Sequence, residues 1–449
     1  MSITPTAELA RFVAELGYQD LPSRIRERVK DILLDTLASA IAGRHGEETK
    51  QIRALAATVG ASREATVIGD EPLSLAGATL LNGYLITAVT VCDVHRPTLC
   101  HTTPVVVAPA LAIAERERAD GRVLLTAIAA GLESTVRVGL GTKYPAFRGR
   151  GWHSPGVIGP FGGAAAVGKL LGFDADRQRH AFGLAGSQSA GTFAQWGTPT
   201  IKFHQARGAL SGLLAGLLAN EGFTASADVL AHRDGGLFNA YSDGGAPEAV
   251  TARLGERWEL EQIALRLWPA ASSIQTVITS LLALAQAHDL APAKITSVRV
   301  GLSKTVYEMH GTLPWNDKFK ALLSTPYVTS VVLHDGRCWL EQFEPRRYQD
   351  PTVGAFARER VKVEIDSHVE GTGAAVEIRT VDGAIHTDRR AAPKGDPSDP
   401  LSRAEIEEKL RTAAAGAMGG EAVKRIVALV SDLENLRDTR ELTAALRAA

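Results

Sequence analysis

GPFGGAAAVGKLLG, residues 159–172, and ALSGLLAGLLANEG, residues 209–222, hold between them one lysine, one glutamate and otherwise small or apolar residues on nearly every side. A helix built from either segment has no broad polar face to turn to water, so it must be buried all round. Small residues on several faces also let helix axes approach closely. These two segments therefore read as inner helices of a large helical domain. Working outward, PSRIRERVKDILLDTLASAIAG, residues 22–43, places Ile25, Val29, Ile32, Leu33, Leu37 and Ile41 on one stripe, with Pro22 near its start and Gly43 at its end. Similar spacing predicts helices over 76–91, 104–119, 121–138, 160–171, 177–190 and 206–220.

After Pro269 the period changes from helix to strand. KITSVRVGL, residues 294–302, alternates like a half-buried strand, and VKVEI, residues 361–365, precedes AAVEIRTVDGAIHTDRR, residues 374–390, which reads as strand, Asp-Gly turn, strand. Helices are expected over 272–288 and 326–333, and Pro393, Pro397 and Pro400 mark a connector before the capped helix that opens at LSRAEIEE. The expected class is mainly α. A large all-helical domain (1–268) carries a smaller inserted α+β lid domain (269–398), and C-terminal helices (399–449) return to the first domain because so short a tail buries little alone.

Composition narrows the function classes. With 449 residues, 45% hydrophobic, 22% charged and a formal net charge of −1, the chain offers no polyanion-binding surface, so neither nucleic acid nor membrane is an expected partner. Cys92, Cys100 and Cys338 form no CxxC pair, and the first residues lack the basic and apolar regions of a secretory signal. The apolar run 105–114 is too short to span a bilayer. The expected location is cytoplasmic.

Four polar clusters interrupt the apolar helices. DVHRPTLCH, residues 93–101, brings Asp93, His95, Thr98 and His101 together; it is either a reaction site or a helix-to-helix loop with capping residues. Asp, His and Cys can ligate a metal, but this spacing matches no closed structural site, and no metal is expected. KYPAFRGRGWHSPGVIGPFGG, residues 143–163, sets Tyr144, Arg148, Arg150 and His153 before a helix expected to open near Gly159. Free amides at such an end, with adjacent arginines, attract carboxylates; the alternative is a surface loop with solvated arginines. QWGTPTIKFHQARG, residues 195–208, carries Lys202, His204 and Arg207, where Lys202 could bind substrate or instead snorkel to solvent. RLWPAASSIQT, residues 266–276, with Arg266, Ser272, Ser273 and Gln275, lies at the domain junction, where a ligand cleft is expected.

The strings CDVH, HTTPVVVAPALAIAE, GWHSPGVIGPFGGAAAVGKLLGFD, GTPTIKFHQARGALSGLLAGLLANEGF and LSTPYVTSVVLHDG resemble the MmgE/PrpD family. The resemblance runs over most of the chain, and the segments at 151–174 and 197–223 are the most specific. That family includes 2-methylcitrate dehydratases, cis-aconitate decarboxylases and iminodisuccinate epimerases. The resemblance implies a helical domain with an α+β lid, a homodimer and no required cofactor. By the same resemblance, the acidic-Thr-His motif falls on Asp93 and His95, and the HPS motif that follows it falls on His101, Thr102 and Thr103. The Gly-aromatic-His motif gives His153, the family lysine Lys202 and the lid tyrosine Tyr327. The chain departs from the family where Ser272 and Gln275 stand for an Arg and a His, and where Ala206 replaces a common Gly. Gln cannot exchange a proton near neutral pH, so a general acid or base expected there is absent or displaced.

The expected chemistry is proton abstraction next to a carboxylate, with a cationic pocket taking up the developing charge. His101 and His153 are candidates for proton transfer, and Asp93 for tuning one of them. Lys202, Arg148, Arg150 and the amides near Gly159 would hold carboxylates, and Tyr327 would donate to a leaving hydroxyl. His95, Thr98, Tyr144, His204 and Gln275 complete the expected substrate contacts. The first expectation is a dehydratase of a small hydroxy-polycarboxylate, with an epimerase or decarboxylase as enzyme alternatives and a catalytically silent scaffold as a third.

Overall fold

The computed structural model describes residues 4–447. Helices take up 59% of the chain and strands 8%, so the class is mainly α with a small sheet. The chain forms two compact units, one running to Ala264 and resuming at Ser402, the other spanning Leu265–Leu401.

The helical unit is built from α1 (Pro5–Glu15), α2 (Ser23–Gly43), α3 (Leu75–Thr87), α4 (Thr103–Glu117), α5 (Gly121–Gly141), α6 (Tyr144–Gly149), α7 (Ser154–Val157), α8 (Gly159–Leu170), α9 (Ala175–Gly186) and α10 (Thr200–Asn220). At its centre α8 packs on α4, α5, α9 and α10, and α10 also packs on α3. Glycine makes this approach possible. A Cβ added to Gly212 would lie 2.7 Å from the Gly163 Cα, and one on Gly162 would lie 1.8 Å from the Thr135 hydroxyl. Pro109, inside α4, has no N–H for the Val105 carbonyl, and a Cβ on Gly163 would come 2.9 Å from that oxygen. Among the described residues α5 is the one helix long and apolar enough to cross a membrane, and 89% of its most apolar window is buried inside the structure.

Of the helix ends that differ from the sequence expectation, two lie beside the polar clusters. The helix expected to 91 stops at Thr87; Thr90 takes a left-handed φ of 63°, and the chain turns into β1 (Val94–His95). That strand pairs antiparallel with β2 (Ile263–Ala264). The helix expected from 206 begins at Thr200, with Pro199 as its cap residue, so Lys202 and His204 lie inside it rather than before it.

The second unit holds α11 (Gln275–His288), β3 (Ile295–Leu302), α12 (Thr325–Asp335), α13 (Pro351–Glu359), β4 (Val361–Ile365), β5 (Ala374–Thr380) and β6 (Ile385–Arg390). Its strands run in the order β4-β3-β5-β6; β3 and β4 are parallel and the other pairs antiparallel. The Asp-Gly turn joins β5 to β6, with Gly383 at φ 87°. Val298, Val300, Leu302, Val376 and Ile378 from the sheet share one core with Val277, Ile278 and Leu281 of α11 and Val328 and Val331 of α12. α14 (Arg403–Ala414), opened by a Ser402–Glu405 capping box, then rejoins the helical unit and packs on α2.

Candidate active site

Asp93 is fully buried and holds the start of α4. One carboxylate oxygen accepts from the Thr102 N–H and hydroxyl, both at 2.7 Å, and the other from the Thr103 N–H at 3.1 Å and hydroxyl at 2.5 Å. Four donors saturate a carboxylate, so Asp93 is a distant cap for the first turn of α4. The expectation that its carboxylate tunes a histidine is therefore corrected. Asp93 does orient His101, but through its main-chain carbonyl, which lies 2.5 Å from His101 Nδ1. A carbonyl can only accept, so Nδ1 carries the hydrogen. In the neutral ring the lone pair then sits on Nε2, the form a general base needs. The Cys92 thiol lies 3.8 Å from the same Nδ1.

His95 and Thr98 serve each other. The His95 Nδ1 and the Thr98 hydroxyl are 2.8 Å apart, both residues are buried, and burial lowers the His95 pKa to about 3. Neither presents a side chain to solvent, which takes both out of the expected substrate contacts.

His153 and His204, 51 residues apart in sequence, meet Nδ1 to Nδ1 at 3.1 Å. His153 precedes the first turn of α7 and is held by its N–H to the Gly191 carbonyl, 3.0 Å away. Burial lowers both imidazoles, with His204, His101 and Arg148 adding positive charge against His153 and Arg207 against His204. Arg148 stacks its guanidinium 3.5 Å over the Phe193 ring, and Phe193 stacks in turn on the exposed Trp196. A guanidinium held by its face keeps its N–H edges for a carboxylate. The histidine His101, the pair His153 and His204, and Arg148 are thus the expected residues that the fold gathers.

Other expectations resolve differently. The amides near Gly159 are not an open anion site, because α7 and α8 run almost continuously; Ile158 already bonds to the Ser154 carbonyl, and Gly159 packs on Val105. Lys202 is two residues from His204, and on a helix that spacing points side chains to near-opposite sides. Its ammonium donates to the Ala88 carbonyl at 2.7 Å, at the end of α3, with Glu48 at 3.9 Å. Tyr144 is half-buried in α6, next to Arg148, and Arg150 is exposed at the end of that helix. Gln275 and Tyr327 belong to the second unit and are engaged within it. The Gln275 amide nitrogen donates to the Trp268 and Ala270 carbonyls at 2.8 and 2.9 Å. The buried Tyr327 hydroxyl donates to the Gln342 carbonyl within the core of that unit, and burial pushes it far above its ordinary range. Its expected role as a donor to a leaving group is corrected: the proton is already committed.

Some groups were illegible as site residues in the sequence. Phe193 is one, having no polar signal of its own. Arg28, three residues after Ile25 and four before Ile32 at the edge of the α2 stripe, donates to the Ile263 carbonyl and places a half-buried positive charge near Asp93. Within the second unit, the Ser273 hydroxyl lies 2.7 Å from the His310 Nε2. Among the described residues no three His, Cys, Asp or Glu side chains stand close enough to share a metal ion.

Comparison with known proteins matches residues 7–249 to the MmgE/PrpD N-terminal domain and residues 268–435 to the MmgE/PrpD C-terminal domain. A cis-aconitate decarboxylase-like protein of Aspergillus oryzae is 29% identical, the match covering 98% of this chain and 97% of that protein. A cis-aconitate decarboxylase of Aspergillus terreus is also 29% identical, over 98% and 95% of the two chains. The Homo sapiens cis-aconitate decarboxylase is 26% identical, over 99% and 95%.

Proposed function

The chain belongs to the MmgE/PrpD family, and from that premise we propose that it is a lyase that cleaves a small polycarboxylate by moving a proton next to a carboxylate. The observation that carries the reading is the gathering of His101, His204 and Arg148 around His153, with His101 fixed in its Nδ1–H tautomer. The sequence alone put dehydration first. Relatives named as cis-aconitate decarboxylases, matched over nearly their whole length, favour loss of carbon dioxide instead.

In that reaction the bond from carbon to the leaving carboxylate breaks and its electron pair stays on carbon. Conjugation spreads the pair onto a retained carboxylate, which Arg148 stabilises as charge builds. A protonated imidazole, from His101 or His153, then delivers a proton to carbon and completes the product. Lys202 supplies a second cation beside the 88–93 segment that leads into the His101 loop. No cofactor enters this scheme. The proposal includes a homodimer, for which light scattering should give about twice the chain mass of 47.6 kDa.

The test is proton NMR in deuterium oxide with a panel of di- and tricarboxylates, cis-aconitate among them. New vinyl signals with carbon dioxide release would support decarboxylation, vinyl signals without it dehydration, and deuterium uptake alone epimerisation. His101→Ala and Arg148→Ala proteins that stay folded should lose about 10²-fold or more in kcat/KM. No change in any compound would sink the enzyme reading and favour a silent scaffold.

A further inference from the structure

The contact between His153 and His204 joins the same atom type on both rings, Nδ1 to Nδ1 at 3.1 Å. Two lone pairs repel and two N–H groups clash, so one hydrogen must lie between the rings. The ring that donates it has a bare Nε2 when neutral; the ring that accepts it carries its hydrogen on Nε2. The pair therefore holds opposite tautomers, one offering a base and the other an acid.

We propose that His153 and His204 form a two-histidine proton relay, with His204 as the positioning residue that sets the tautomer of His153 and feeds protons to it. The inference rests on the lyase reading above. His204 starts with hydrogen on Nδ1 and takes a proton from water at Nε2, becoming an imidazolium and leaving a hydroxide that the released carbon dioxide takes up as bicarbonate. It passes its Nδ1 proton to the His153 Nδ1, and His153 then gives its Nε2 proton to the substrate carbanion. One proton from water ends on carbon, and both rings are neutral with their tautomers exchanged. Proton exchange with water in the reverse direction, entering at His153 and leaving at His204, restores the start.

The surroundings fit this use. His101 and Arg148 face His153, and Arg207 faces His204; all add positive charge, which keeps the pair from holding an extra proton and favours handing it on. Arg207 is itself fixed by the Gln188, Gly156 and Ala190 carbonyls. A Cβ on Gly191 would stand 3.0 Å from the His204 Nδ1, so bare backbone closes against the pair there. Both residues are 7% exposed, so packing fixes their orientation without sealing them completely from water.

Two measurements test the relay. The first is nitrogen NMR of the full chain with ¹⁵N-labelled histidine near pH 8, assigned with His153→Gln and His204→Asn proteins. One Nδ1–H ring and one Nε2–H ring are expected, and two rings in the same tautomer would overturn the pairing. The second is turnover of the panel substrate found active, cis-aconitate first. His204→Asn keeps an amide where Nδ1 sits but cannot relay. It should leave KM within about twofold and lower kcat by about 10²-fold, and imidazole added to His204→Ala should restore part of the loss. A His204→Asn kcat and pH profile matching wild type would overturn the relay. Wild-type protein inert toward the whole panel would overturn the lyase reading instead, while the NMR result still decides the pair.

Discussion

At His95, burial decides the protonation state. The ring is fully enclosed, its Nδ1 is shared with the Thr98 hydroxyl, and its pKa falls from 6.5 to about 3. In the unfolded chain the ring returns to its ordinary value, so below pH 6.5 the unfolded state binds a proton that the folded state refuses. A lowered histidine pKa thus contributes stability that is complete above the unfolded value and declines as pH falls toward 3. By pH 4 the loss from this one group is about 3 kcal/mol. His95→Asn keeps a polar atom for Thr98 and cannot titrate in this range. Urea unfolding midpoints measured from pH 7.5 to 4 should fall less steeply for His95→Asn than for wild type; parallel slopes would show that His95 is not held neutral. Asp93 makes the complementary point, since a charge at such depth is tolerated because Thr102 and Thr103 give it four donors.

At the scale of helices, the close approach of α8 and α10 sets a conflict between local and tertiary preference. Alanine in a helix interior is favoured over glycine by about 1 kcal/mol. At Gly212, however, the new Cβ would meet the Gly163 Cα at 2.7 Å and the Pro160 carbonyl at 2.9 Å, both backbone atoms that cannot rotate aside. Overpacking of that kind costs about 1–3 kcal/mol, so the clash wins. Gly212→Ala should lower the denaturation midpoint, whereas Gly149→Ala, at the end of α6 with nothing within 4 Å, should leave it unchanged or raised. Equal behaviour of the two would mean that α8 and α10 do not touch there.

The same pair of helices shows what could be read in advance. The glycine and alanine positions on several faces identify α8 as interior, but the same reading fails on α10, where Leu214 and Leu218 are exposed: apolar composition alone does not bury a face. The first turns of α10 resist that reading: Lys202, His204 and Gln205 are polar yet buried, and periodicity equates polar with exposed. Their burial depends on partners far along the chain, such as Ala88 and His153, which no local pattern announces. His153 and His204 were each legible as candidates, but their meeting required the fold. Tyr327 was expected to donate to a leaving hydroxyl, because no local pattern announces that its hydroxyl partner is a main-chain carbonyl.

For the whole molecule, the decisive question is what returns the chain to its first unit after the insertion. α14 lies along α2, and Lys409 is the buried point of contact: its ammonium donates to Asp35 at 2.6 Å, to the Val91 carbonyl at 2.8 Å and to Ser39 at 3.2 Å. One side chain from residue 409 thereby fixes α2 and the backbone two residues before Asp93, so the C-terminal segment helps shape the loop that carries His101. Both members of the Asp35–Lys409 pair are 1% exposed, where an ion pair adds little net stability but a lone charge is severe. Lys409→Met should therefore cost about 3–5 kcal/mol by leaving Asp35 buried without its cation. Adding Asp35→Asn should recover part of that loss despite removing a further native group. A double-mutant cycle on urea unfolding measures the coupling. If the two substitutions add without coupling, Lys409 acts through packing alone, and the buried ion pair is not what ties the end of the chain to its beginning.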